Sequence, residues 1–395
     1  MMVDVSNGKR NSGVKAQGIW TPLIREGDDL VEIVVSEVLE QIGRENVKDK
    51  AIIGVTEAVV AYSQANFVAK ELIAKDIAAK YPGARSLAIV DPIQSRNRFF
   101  QILEAIVSTP ELEKVHVVLS YPTDEVGNRL VSEAKIRESG INPYTKKFTV
   151  DEFYEVLGVP AHEFTGQNYI ELYENCSNKI EVTLCNDFAQ VPEMCKDVLI
   201  CSIHRRNETR AVLEAAGANR VLDLSQILNQ PIDGSGYNPD YGVYGSNARA
   251  DDALKLMPIH CQEFVEEVQK RMKEETGKDV EVMVYGDGAF KDPVGHIWEL
   301  ADPTTTLAHT SGLGGTPKEV KLKYFVSKYP DKTKEEIEKI IADEKSKRMQ
   351  TEDITGEASL GTTPRRKVDL LASMFDLISG SGDRQTPVVY CENYL

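Results

Sequence analysis

The run Val198-Leu-Ile-Cys-Ser-Ile-His-Arg-Arg-Asn207, continued by Glu208-Thr-Arg-Ala-Val-Leu-Glu-Ala-Ala-Gly217 and Ala218-Asn-Arg-Val-Leu-Asp-Leu224, decides the fold class. It opens with an apolar stretch of strand length, Val198 to Ile203. A helical segment near Glu208 to Ala216 follows, stopped by Gly217, and a second short apolar strand ends the run. This is a small βαβ unit. Its strands have the continuous apolar character of parallel strands buried on both faces.

The same alternation extends in both directions. Upstream lie the strand-like runs Leu87 to Val90, Val115 to Leu119 and Ile180 to Leu184, a helix from about Ala65 to Lys80, and a strand-like run from Ala51 to Val60. Near the start, Asp28 and Asp29 follow Gly27 at a helix opening, with Leu30, Ile33, Val34 and Val38 at helical spacing. Downstream, a Gly- and Tyr-rich stretch from Asp233 to Asn247 precedes an amphipathic helix near Pro258 to Glu275, with Phe264, Val265, Val268 and Met272 on its apolar face. The strand Val280 to Tyr285 comes next. Lys332 to Arg348 is a charged helical run with a solvated face. The last helix takes Thr363 as cap and Pro364 as first residue, buries Val368, Leu371, Phe375 and Ile378, ends at Gly380, and leads to the strand Pro387 to Cys391.

These signals give an α/β (mixed α+β) fold of several layers with an inserted βαβ-like middle region. The division is 1–84, 85–232 and 233–395, the middle part forming an α/β layer of its own. At 395 residues, 42% hydrophobic and 27% charged, the chain has the composition of a globular protein of two or three domains. No run reaches the roughly 18 apolar residues of a membrane helix. The segment Met1 to Gln17 has no apolar signal core, so a cytoplasmic location is expected. The six cysteines (Cys176, Cys185, Cys195, Cys201, Cys261, Cys391) show no CxxC spacing and read as buried or incidental thiols. A net charge of −16 argues against a nucleic-acid partner, because the basic clusters Arg205-Arg206 and Arg365-Arg366-Lys367 are short. It leaves room for a small anionic substrate in a local basic pocket.

Neither GxxxxGK[ST] nor a GxGxxG between strand and helix occurs, so any nucleotide site is built in another way. Three Gly-rich segments carry carboxylates. Val284-Tyr-Gly-Asp-Gly-Ala-Phe-Lys-Asp-Pro293 follows a strand, and glycine on both sides of Asp287 lets the backbone approach a ligand while the carboxylate offers hard oxygens to Mg²⁺ or Mn²⁺. Ser379-Gly-Ser-Gly-Asp383 can form an anion-binding nest of amides. Asp233 to Asn247 is a long irregular loop of the kind that often carries function. Each segment can also be an ordinary turn or helix cap. Asp91-Pro-Ile-Gln-Ser-Arg-Asn-Arg98 ends a strand and puts two arginines, Arg96 and Arg98, where a carboxylate or phosphate can bind. The histidines lack zinc-ligand spacing, and no GxSxG is present.

Taken in order, these segments resemble the coenzyme F420:L-glutamate ligases (F420-0 gamma-glutamyl ligases), and the whole chain looks like the long bacterial branch of that superfamily. Thr21-Pro-Leu-Ile-Arg-Glu-Gly-Asp-Asp-Leu-Val-Glu-Ile33 is similar to the family's N-terminal segment, and Val55-Thr-Glu-Ala-Val-Val60 to its next strand. Gly242-Val-Tyr-Gly-Ser-Asn247 is similar to Gly-Val-Asp-x-Ser-Asn, Tyr285-Gly-Asp287 falls on a metal-binding Thr-Asp-Thr, and Ser379 to Asp383 with Pro387-Val-Val is similar to Met-Gly-Gln-x-Asp with Pro-Val-Val. The similarity covers about 18–70 and 233–395.

The resemblance implies a ligase that activates a carboxylate acceptor with GTP and joins L-glutamate to it through an amide bond, with Mg²⁺ or Mn²⁺, as a homodimer. It assigns nucleotide binding to Pro22, Leu23, Ile24, Asn247, Gly380, Ser381, Gly382 and Asp383. Metal binding goes to Asp287 and Asp383, catalysis to Asp287 and Lys291, and substrate binding to Arg98. Four positions depart from the family pattern: Tyr62 replaces a basic residue, Tyr244 a metal-binding Asp, Gly288 a Thr and Ser381 a metal-binding Gln. The nearest alternative oxygens are those of Asp240, Asp292 and Asp383. A folate or another acceptor is the alternative within ligases. A nucleotide-binding protein without ligase activity is the alternative outside them.

Overall fold

The computed structural model describes residues 13–162, 165–289, 291, 294, 296, 300–316, 320–349, 365–379 and 384–395. The two ends of the chain share a five-stranded sheet of β1 (Lys15–Ile19), β2 (Ile52–Thr56), β12 (Glu281–Tyr285), β13 (Thr306–His309) and β14 (Val388–Glu392). Its order is β1-β14-β2-β12-β13, and only the β2–β12 pair is parallel. Side chains alternate between faces along each strand. Ile53, Val55, Val282, Val284 and Val388 pack with the helices Leu30–Ile42 and Cys261–Thr276. Ile52, Met283, Tyr285 and Val389 pack on the opposite face with the helix Lys367–Ile378. Gly54 stands in the middle of β2 because the Phe375 ring lies 2.2 Å from where a Cβ would be.

Local signals set several helix ends as expected. Asp29 caps the first helix by accepting the Glu32 amide at 3.0 Å. The run Ala51 to Val60 behaves differently from its strand reading, because the strand stops at Thr56 and Glu57–Ser63 is a helix. β12 ends at Tyr285 opposite Thr56, and β14 pairs no further than Val55. Beyond that point the sheet offers no ladder, and helical hydrogen bonds satisfy the amides instead. The run 332–348 lies in the helix Lys334–Met349 except for its first two residues, and that helix is exposed along most of its length, as its charge pattern predicts. The residues Thr363 and Pro364 lie outside the described residues, and the last helix begins at Lys367.

The middle of the chain forms a six-stranded sheet: β4 (Ser86–Val90), β5 (Lys114–Leu119), β6 (Phe148–Thr149), β7 (Ile180–Leu184), β8 (Asp197–Ile200) and β9 (Arg220–Asp223). Its order is β6-β7-β5-β4-β8-β9, all parallel except β6. The three runs singled out as buried parallel strands are neighbours in it, and the opening βαβ unit is β8, the helix Arg206–Ala215 and β9. One face carries Leu87, Ile89, Val117 and Leu199, and the other Ala88, Val90, Val118 and Ile200. The winding direction reverses between β4 and β8, so loops at the carboxyl ends of these strands open a crevice. The helix Lys70–Lys80 packs Ile73 and Ile77 into the same core, although it precedes residue 85. A small antiparallel sheet of β3 (Phe67–Ala69), β10 (Asn247–Ala248) and β11 (Ala253–Lys255) completes the described strands.

Candidate active site

β2 and β12 run parallel, so their carboxyl ends, Thr56-Glu57 and Tyr285-Gly286-Asp287, open at one place. The turn after β12 is fixed by side chains from distant segments. The Asp287 amide donates to Asp302 Oδ2 at 2.9 Å, the Gly288 amide to Asp376 Oδ2 at 3.0 Å, and the Ala289 amide to Ser373 Oγ at 3.0 Å. Glycine is required at 288, where a Cβ would come within 2.9 Å of both the Asp376 carboxylate and the Ser373 backbone.

Arg98 reaches this turn from the loop after β4. Its Nη1 donates to Asp302 Oδ1 at 2.7 Å and its Nη2 to Asp287 Oδ2 at 2.9 Å. The Ala248 amide donates to the Asn97 carbonyl at 2.8 Å, which brings β10 and Asn247 alongside. Lys255 is the register partner of Asn247, and its Nζ donates to both oxygens of Glu57, to Oε2 at 2.6 Å. Glu57 and Lys255 are both buried. The middle layer, the small sheet and both ends of the chain therefore meet at one polar centre.

Four carboxylates (Glu57, Asp287, Asp302, Asp376) face two cations there, Arg98 and Lys255. Burial pushes Asp287 up to about 7, with Asp302 adding to the rise and Arg98 opposing it. Glu57 is raised by burial, against the attraction of Lys255. Asp376 is also raised by burial. Burial opposes the charge of Arg98, but Asp302 and Asp287 outweigh it and hold the guanidinium protonated.

Among the described residues, no three His, Cys, Asp or Glu side chains are placed to hold a metal ion by themselves. Mg²⁺ does not need such a cage, because it commonly binds one or two carboxylates together with substrate phosphates. The centre fits that mode. Asp287 Oδ1 and Asp376 Oδ1 take no hydrogen bond from a described residue, and four carboxyl groups share two cations.

The sequence pattern of the F420-0:gamma-glutamyl ligase family matches residues 18–393. The chain belongs to this family. In the comparison with curated proteins, none matches. A glutamate ligase of the F420-0:gamma-glutamyl ligase family joins glutamate through an amide bond. No helix among the described residues is long and apolar enough to cross a membrane.

Of the residues singled out from the sequence, the fold brings Arg98, Asn247 and Asp287 together. Pro22, Leu23 and Ile24 follow β1; Leu23 is exposed and Ile24 packs beside the core, while the Thr21 amide donates to the Gln385 carbonyl at 2.9 Å. Lys291 is exposed beyond the Asp287 turn. Gly380, Ser381, Gly382 and Asp383 lie outside the described residues; the helix before them supplies Asp376 to the turn. Tyr244 is a core residue of the ligase, its hydroxyl donating to the Ser202 carbonyl at 2.8 Å. All six cysteines are free thiols.

Sequence reading missed Glu57, Lys255, Asp302 and Asp376. Glu57 had a usable signal, a charge inside the apolar run Ile52 to Val60, since a buried charge needs a partner. Nothing local marked Lys255, which is 198 positions away.

Proposed function

We propose that this chain is a GTP-dependent ligase that adds L-glutamate to a carboxylate acceptor, working with Mg²⁺ or Mn²⁺ as a cytoplasmic homodimer. The observation that carries this reading is the meeting of Asp287, Asp302 and Asp376 with Arg98 at the shared end of β2 and β12, in a chain of this family.

An amine does not displace oxide from a carboxylate, so the acceptor must first gain a leaving group. The γ-phosphoryl of GTP moves to an acceptor carboxylate oxygen, giving an acyl phosphate and GDP. The glutamate amine then attacks the acyl carbon, phosphate leaves with the bonding electrons, and the amine loses its proton. Positioning and charge stabilisation dominate phosphoryl transfer. Asp287 and Asp376 would hold a divalent ion, with Asp383 as a further ligand, and bound there it would supply positive charge to the phosphates. Arg98 presents a fixed positive fork to the acidic centre and to an arriving anion. Asn247 and the 380–383 loop receive the nucleotide, with Pro22, Leu23 and Ile24 beside it. Lys291, exposed past the turn, meets the anionic substrate. Lys255 holds Glu57 in place through both carboxylate oxygens.

The acceptor is a deazaflavin precursor carrying a free carboxylate, or a folate if that precursor is not used. The test is glutamate consumption with GTP or ATP and Mg²⁺ or Mn²⁺, against each acceptor, followed by mass of the product. A gain of one glutamyl unit that requires nucleotide supports the reading. Nucleotide binding without consumption on any acceptor sinks it in favour of a noncatalytic binder, the outcome that the core position of Tyr244 favours.

A further inference from the structure

Both Asp302 oxygens are already engaged. Its Oδ1 accepts from Arg98 at 2.7 Å and its Oδ2 from the Asp287 amide at 2.9 Å. The fit is close, since a Cβ on Gly286 would fall 2.5 Å from Oδ2. Arg98 spans the two acids, with one guanidinium nitrogen on each carboxylate. The arginine is itself held from behind: its amide donates to Ser95 Oγ at 3.2 Å, and the next residue, Phe99, is buried at the head of the helix Phe99–Val107. A guanidinium does not deprotonate, and its planar fork matches carboxylate oxygens.

We propose that Arg98 is a built-in counter-cation that occupies the Asp287–Asp302 carboxylate pair in place of a divalent ion. In the nucleotide-free protein this pair is closed to metal, and any ion that works with Asp287 enters on its Oδ1 side, together with phosphates. Two carboxylates this close would otherwise attract a hard cation, and the arginine removes that attraction without a binding equilibrium. The middle layer thereby supplies a fixed charge to a centre built by the two ends of the chain. Arg98 is a positioning residue here, acting through Asp287 and Asp302.

The test contains no nucleotide, so its failure is distinct from failure of the ligase reading. Mn²⁺ is titrated into the full-length protein, and free Mn²⁺ is followed by electron paramagnetic resonance. Arg98→Gln, which keeps bulk and amide donors but loses the charge, is expected to gain one saturable site at least tenfold tighter than anything in the parent. Arg98→Lys should remain within about twofold of the parent, and Arg98→Gln with Asp302→Asn should lose the gain. In the parent, Asp287→Asn should leave Mn²⁺ affinity unchanged. Absence of a gain in Arg98→Gln, an equal gain in Arg98→Lys, or Asp287-dependent Mn²⁺ binding in the parent would each overturn the proposal. If Arg98→Gln fails to fold, the parent and Asp287→Asn decide the question by themselves.

Discussion

Two buried acidic centres lie at the carboxyl ends of parallel strands, and they are finished differently. In the six-stranded layer, Glu125 accepts the amides of Ile203, His204 and Arg205, and Asp124 accepts those of Gln94, Val126 and Asn128 together with the Asn128 side chain. Asp91 is paired with Arg205 at 2.7 Å. Backbone and side-chain donors fill the oxygens of Glu125 and Asp124, which hold loops in place, while Asp91 Oδ1 accepts from Arg205 and its buried Oδ2 has only the charge of that guanidinium beside it. At the end of β2 and β12, by contrast, Asp287 and Asp376 each keep an oxygen that accepts from no described residue. A saturated acidic centre is architecture; an unsaturated one is disposed to bind.

The largest effect expected from this contrast is on stability. Lys255→Met leaves the buried Glu57 unpaired and should destabilise the protein by about 3–5 kcal/mol. Adding Glu57→Leu should recover most of that in urea denaturation, and no recovery would mean that the pair is not a closed unit. Asp287→Asn should lower ligase turnover by about 100-fold while the denaturation midpoint changes little, because its oxygens serve ligand and Arg98 rather than the backbone. Equal loss of turnover and stability would erase the distinction drawn between the two centres.

Asp124→Ala should behave in the opposite way. It strands several donors in a buried loop, costing about 2 kcal/mol, with turnover of the folded enzyme within about threefold of the parent. A large kinetic defect in a stable variant would give the middle layer a direct role in catalysis.

The smallest effect is a pH dependence. Burial raises Asp91 to about 6 from the usual 3.8, with Glu125 adding and Arg205 opposing. The folded state therefore takes up this proton before the unfolded chain does. The stabilisation is complete below the unfolded value and is lost as pH rises through about 6. Between pH 7 and pH 5 this group should add about 1 kcal/mol, visible as a difference in urea midpoints between the parent and Asp91→Asn. Identical pH slopes for the two would show that Arg205 has cancelled the burial effect.

The sequence showed the layers more readily than it showed the site. Continuous apolar runs such as Leu87 to Val90 announce buried strands, and Asp29 or Gly217 mark helix ends, because hydrophobic period and capping act over a few residues. Asp287 stood out between two glycines, and Arg98 at the end of a strand. Their pairing was not legible: each was assigned a ligand, and the fold gives them to each other across 189 positions.

What the sequence determined by itself was the α/β class, the family, and the turns able to bring backbone close to a ligand. Only the tertiary structure decided which charges neutralise one another. Coulomb attraction and desolvation depend on distance and burial, and the parallel pairing of β2 with β12, together with the docking of the loop after β4, sets both.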